Sequence, residues 1–225
     1  LTPSGAHSYL YDPFSVIGAG SSTNTSRMAA LVPTYYRSDN AVQYFTPAMG
    51  GFQGQFTWAP DESGVNNVNR YVGTRLSYGG AGPFSVSASY GSTDVAGGKF
   101  KSIGLAGSYD FGMAKLMAHY YRDKLIAMQE NRFLLGVSVP VGPGEIRASY
   151  VRSDAVKGTA AYNDSDASQI ALGYVHNLSR RTALYTTFSR VANKGGATFA
   201  IGGGTPGITA GGKSTGFEAG VRHSF

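Results

Sequence analysis

Cysteine is absent from this chain, which excludes disulfide frameworks, thiolate metal centres and cysteine nucleophiles while saying little about compartment. Charged residues are scarce at 14%, and no apolar run approaches the ~18 residues of a membrane-spanning helix. Neither a disordered chain nor a helical membrane protein fits those two absences. No basic-plus-apolar leader opens the sequence, so an exported protein would have lost its leader or the sequence would begin internally. The net charge of +6 also lacks a cluster: lysines and arginines are scattered singly, with Arg180-Arg181 the one adjacent pair. Nucleic-acid binding calls for a concentrated basic patch, so the scatter argues against it.

What is abundant is glycine, tyrosine and phenylalanine, at 32, 15 and 12 of 225 residues, a composition suited to one turn-rich β domain. The last ten residues show the pattern most plainly. Phe217, Ala219, Val221, His223 and Phe225 share one face of a strand, and Glu218, Gly220, Arg222 and Ser224 share the other. From about residue 37 onward, eleven such runs follow at 37–47, 51–60, 70–79, 83–92, 100–111, 114–124, 131–141, 144–154, 167–177, 181–191 and 215–225. Each is about the length that a tilted strand needs to cross a bilayer.

Connections alternate in length. Those at 48–50, 80–82, 111–113, 142–143 and 178–180 are short, while those around 61–69, 93–99, 125–130, 155–166 and 192–214 are longer, which sends all short turns to one end and all long loops to the other. Phe84, Val86, Ala88 and Tyr90 oppose Ser85, Ser87, Ser89 and Gly91, and Phe133, Leu135, Val137 and Val139 oppose Arg132, Gly136 and Ser138, with Leu134 an exception. Aromatics gather near run ends, as an interfacial girdle requires. These features favour an all-β, antiparallel transmembrane barrel over a soluble sandwich, whose strands average about five or six residues. Small inner residues such as Gly73, Gly104, Gly136 and Gly173 are read as open lumen space. An odd strand count leaves an up-and-down barrel with a parallel closure or an open edge in lipid, so the chain is expected to be incomplete.

Three stretches carry a family resemblance. Arg37-Ser38-Asp39-Asn40-Ala41-Val42-Gln43-Tyr44-Phe45-Thr46-Pro47 with Gly51-Phe52, Leu172-Gly173-Tyr174 with Leu178-Ser179-Arg180-Arg181-Thr182 and Leu184-Tyr185, and the ending Gly220-Val221-Arg222-His223-Ser224-Phe225 resemble motifs of Gram-negative general porins of the betaproteobacterial type. The resemblance implies a sixteen-stranded barrel, of which this chain carries about eleven strands, trimeric, in the outer membrane among lipids and lipopolysaccharide. It further implies a third external loop folded into the pore. Residues 1–36 are expected to be what remains of that loop, with Thr2-Pro3 and Asp12-Pro13-Phe14 as its traces, and 37–225 to be the barrel wall. The implied function is passive diffusion of small hydrophilic solutes without cofactor, metal or chemical step.

On that reading, strand parity puts Arg37, Arg75, Arg132 and Arg147 on the water path, where fixed guanidinium charge would favour anions, with Asp12 as a counter-charge. Each arginine has a plainer role open to it, pairing with a carboxylate or solvating the wall. Phe225 is expected to serve both as the last girdle aromatic and, by the resemblance, as the signal read by the barrel-insertion machinery. Catalysis finds no support. His7, His119, His176 and His223 lack metal-ligand spacing, no G-x-S-x-G follows a strand and opens a helix, and His119 is the sole inward partner that a serine could use. The glycine-rich stretch at 202–212 reads as an external loop, not a phosphate cradle. A rival from another class is a plugged adhesion barrel acting through its external loops.

Overall fold

In the computed structural model, residues 1–15, 18–61, 68–80, 82–202 and 207–225 are described; residues 203–206 of the glycine-rich stretch and 62–67 of the connection expected at 61–69 lie outside them. Eleven strands form one sheet in strict sequence order, β1 (Val42–Phe45), β2 (Phe52–Ala59), β3 (Tyr71–Gly79), β4 (Phe84–Val95), β5 (Gly98–Asp110), β6 (Lys115–Leu125), β7 (Met128–Val141), β8 (Gly144–Lys157), β9 (Ala167–Asn177), β10 (Thr182–Asn193) and β11 (Lys213–His223). Every pairing is antiparallel between sequence neighbours. A two-sheet sandwich is thereby excluded.

The two faces of this sheet are inverted relative to a water-soluble protein. Outward rows such as Phe56 and Trp58, Ile103 and Leu105, Phe133 and Leu135, Ile170 and Leu172, and Phe217 and Val221 are exposed, with Leu105 at 57%. Inward rows are buried and polar: Gln55 and Thr57, Ser87 and Ser89, Ser149 and Ser153, Thr187 and Ser189. A soluble monomer rarely exposes an apolar patch beyond about 300–600 Å², so an outer surface built almost wholly of such rows belongs in hydrocarbon, where the sheet's internal hydrogen bonds satisfy the backbone. No helix among the described residues is long and apolar enough to cross a membrane; the strands do the crossing.

Hairpin ends depart from the sequence expectation. The connections anticipated as longer loops at 93–99 and 125–130 are two-residue turns, because β4 and β5 stay paired to Val95↔Gly98 and β6 and β7 to Leu125↔Met128. At these ends the outward side chains Lys99, Lys101 and Lys124 are exposed while Val95, Phe100, Leu125 and Met128 turn inward onto residues 1–36, so pairing continues after the outward apolar row that marks it in sequence has ended. Conversely, the first run shrinks to Val42–Phe45, and Arg37 lies before the strand.

Residues 1–36 do not extend the sheet. They form α1 (Pro3–Leu10), a 3-10 turn at Ser22–Thr25 and α2 (Arg27–Leu31), started by local capping: Thr2 Oγ1 accepts from Gly5 N–H at 3.0 Å with Pro3 at the first helical position, and Ser26 Oγ accepts from Ala29 N–H. The segment is closed on itself, Thr2 N–H donating to the Tyr36 carbonyl at 2.8 Å. It lies along the inner face of the sheet, α1 over β2 to β5 and the 3-10 turn over β8 and β9. A fourth short helix turn, α3 (Ala160–Asn163), sits in the connection between β8 and β9.

Candidate functional site

The site is the inner face of the sheet together with the segment laid across it. Its glycines are seats, not gaps. A Cβ at Gly136 would lie 2.5 Å from Pro13 Cδ, one at Gly173 would lie 2.8 Å from Phe14 Cε1, and one at Gly104 would meet Tyr121, Ser89 and His7 at 2.7–3.0 Å. The space at Gly73 is filled by the Tyr71 ring. The expectation that these four mark open lumen is thus corrected: they bring the wall backbone close enough for ring and proline side chains to settle on it.

Hydroxyl contacts then fix the segment along its length. Ser4 Oγ donates to Ser102 Oγ, Tyr121 Oη donates to the Ser4 carbonyl at 2.7 Å, Tyr11 Oη meets Ser85 Oγ at 2.7 Å, and Thr34 Oγ1 meets Thr93 Oγ1 at 2.6 Å. Gln169 Nε2 donates to the carbonyls of Gly20 and Ser21, and Glu218 Oε2 on β11 accepts the Ala19 N–H at 2.7 Å. His7 Nε2 lies 2.7 Å from Ser87 Oγ. Burial first, and then the Arg75 charge, lowers its pKa to about 3, so the ring is neutral at ordinary pH and adds no charge to the lumen.

Among the residues read from sequence, parity is right for the strand arginines, but their surroundings differ sharply. Arg132 on β7 is fully buried beneath residues 1–36. Its Nη2 donates to Tyr35 Oη at 2.7 Å, that hydroxyl donates to Asp123 Oδ2 at 2.7 Å, and the guanidinium lies 5.0 Å from the Tyr121 ring centroid and 5.6 Å from that of Tyr35. Arg75 on β3 is 8% exposed, covered by α1, and donates through Nε to Gln55 Oε1 at 3.1 Å. Arg147 on β8 is half-buried and paired with Glu145, at the boundary of two inner cavities of about 330 and 830 Å³. Arg37 is exposed.

Asp12 is enclosed, its two carboxylate oxygens accepting the N–H groups of Phe14 and Ser22 at 2.9 Å. It therefore shapes the turn of its own segment. Arg222 on β11, which the sequence reading placed on the polar row without singling it out, is exposed and lines the larger cavity with Arg147, Tyr9 and Tyr185. Alternation alone gives its face; its exposure depends on where the inner segment lies. His119 faces inward against Tyr121 but is fully buried, without a neighbouring serine hydroxyl bonded to it, and no group of three or more metal-ligating side chains occurs among the described residues. Phe225 ends the chain fully exposed, stacked edge-on against His223.

An apolar outer wall, a polar inner wall and a self-closed segment pinned across it are the parts of a diffusion channel, and residues 3–196 match the family model for Gram-negative porins. The chain belongs to the Gram-negative porin family. Over its whole length it is 35% identical to outer membrane porin protein 32 of Delftia acidovorans, covering 68% of that protein, and 29% identical over 95% of its length to an outer membrane porin of Bordetella pertussis, covering 64%. It superposes on the anion-selective porin of Comamonas acidovorans with a TM-score of 0.87 at 34% identity, spanning all of this chain and 72% of that one. This porin is accordingly an outer-membrane channel protein and not an enzyme, and the adhesion-barrel alternative is set aside.

Proposed function

We propose that this porin passes small hydrophilic solutes with a preference for anions, that residues 1–36 are its pore-constricting third loop and 37–225 its wall, and that it works as a homotrimer. The observation that carries the channel reading is the inversion of faces, apolar side chains outward and hydroxyl, amide and ionic groups inward. The anion preference rests on the net charge of +6, on the exposure of Arg37 and Arg222, and on the 34% identity to a porin named anion-selective. A guanidinium open to water in a narrow, low-dielectric passage attracts anions at any working pH, whereas one already ringed by carboxylate and phenol groups contributes little field to the path.

These arginines consequently separate in a test. In the intact channel, Arg222→Ser and Arg37→Ser shift the zero-current potential of a salt gradient toward cations, and Arg75→Ser moves it less because α1 covers that side chain. Equal shifts for all three, or none, would overturn the assignment. A trimeric mass in detergent tests the oligomer. Deleting Phe225 impairs insertion in cells, by the barrel-insertion machinery, more than it alters conductance of inserted channels; normal insertion would remove that role. The outward rows are the surface offered to lipids and lipopolysaccharide.

A further inference from the structure

Two outer connections of the barrel reach back to one short stretch of the inner segment. The β8 to β9 connection brings Tyr162 and the β10 to β11 connection brings Phe199, and Arg27 lies between their rings, its guanidinium carbon 5.5 Å from one centroid and 5.3 Å from the other. The same residue is held from the wall, where Glu130 accepts the Arg27 N–H at 3.1 Å and the Ser26 hydroxyl at 3.3 Å. Both rings are themselves fixed. Tyr162 is buried with Met28, Val32, Tyr35 and Phe100. Phe199 exchanges two backbone hydrogen bonds with the Asn193 side chain at the end of β10, its N–H donating at 2.8 Å and its carbonyl accepting at 2.9 Å. Nearby, Asn24 Oδ1 accepts the Gly202 N–H at 3.0 Å, and Ile201 packs with Ala19, Ala167 and Val191.

The helices of the segment, at eight and five residues, are too short to persist unaided, so its position is set by what grips it. A planar guanidinium can offer a face to each of two rings at once, which an ammonium cannot do. We infer that Arg27 is a positioning residue for permeation: it touches no solute, but clasps the inner segment between two outer loops and so keeps the water path at constant width. Without the clasp the segment visits positions that obstruct the path, and the open channel flickers. The inference rests on the channel reading above.

Single-channel recording of the intact porin in planar bilayers tests it. Arg27→Ala raises the frequency of brief partial closures roughly three- to thirtyfold, the factor that losing such contacts implies, while the zero-current potential stays unchanged; Phe199→Leu does the same to a smaller degree, and Arg27→Lys lies between Arg27→Ala and the wild type. Should Arg27→Ala fail to assemble, Phe199→Leu carries the same prediction. Closure frequencies equal to wild type in Arg27→Ala, or in Phe199→Leu where that variant stands in, overturn the clasp. A wild-type protein that forms no channel at all would instead overturn the channel reading.

Discussion

At the scale of single residues, the inner face is governed by charge placed under cover. Arg132, Asp123 and Glu130 are all within a few per cent of complete burial, and Tyr35 relays a hydrogen bond between the arginine and one carboxylate. Removing one member of such a group leaves the others buried without compensation, a loss of about 3–5 kcal/mol. Arg132→Met therefore lowers the thermal unfolding temperature of the barrel markedly while an exposed change such as Arg222→Ser does not, as melts followed by circular dichroism can show. Asp12 adds a pH dependence. Burial raises its carboxyl from 3.8 to about 6, against the opposing pull of the Ser22 and Phe14 amides. Because the folded value lies above the ordinary one, the stabilisation is complete below about pH 4 and is lost as pH rises through about 6. Wild-type melts fall across that window by a component that Asp12→Asn, neutral throughout, does not show; a difference between the two proteins that stays constant with pH contradicts it. Sequence reading reached these residues only in part. Parity gives the face on which Arg75, Arg132, Arg147 and Arg222 stand, but whether a side chain on that face meets water depends on a segment more than a hundred positions away for some of them. The glycines misled for the same reason, since a missing side chain does not reveal what occupies its place.

At the scale of elements, the strands were legible because the bilayer enforces a two-residue period over a fixed length, and β9 falls at the expected 167–177. Where that enforcement stops, so did the legibility: the outer hairpin extensions of β4 with β5 and β6 with β7 turn Val95, Phe100, Leu125 and Met128 inward onto residues 1–36 instead of outward, and the helices of residues 1–36 are too short for a helical period. The orientation of the rows yields a direct energetic prediction. Leu172→Arg on the outward row of β9 destabilises the barrel by about 2–4 kcal/mol if it sits near the bilayer midplane, measured by denaturant titration of protein folded into lipid vesicles. Ala171→Ser, one position away on the inner row, has a much smaller effect. Similar losses for the two would mean that the faces have been assigned wrongly.

At the scale of the whole molecule, the sheet supplies a lipid-facing wall and the self-closed segment lies across its inner face, with contacts running from Ser102 and Asp123 on one side to Gln169 and Glu218 on the other. Function follows from that division of faces, because a passive channel needs no chemistry beyond a wet interior, a dry exterior and charge in the passage. Since the chain has no cysteine, a single introduced thiol reports its own surroundings without interference. The decisive measurement is paired thiol labelling of the intact porin in lipid vesicles, with Arg222→Cys on the inner row of β11 and Leu172→Cys on the outer row of β9. The expected result is that a membrane-impermeant thiol reagent modifies the former and reduces conductance, whereas a fluorophore on the latter is quenched by brominated acyl chains. Quenching at position 222 together with aqueous modification at position 172 would contradict it.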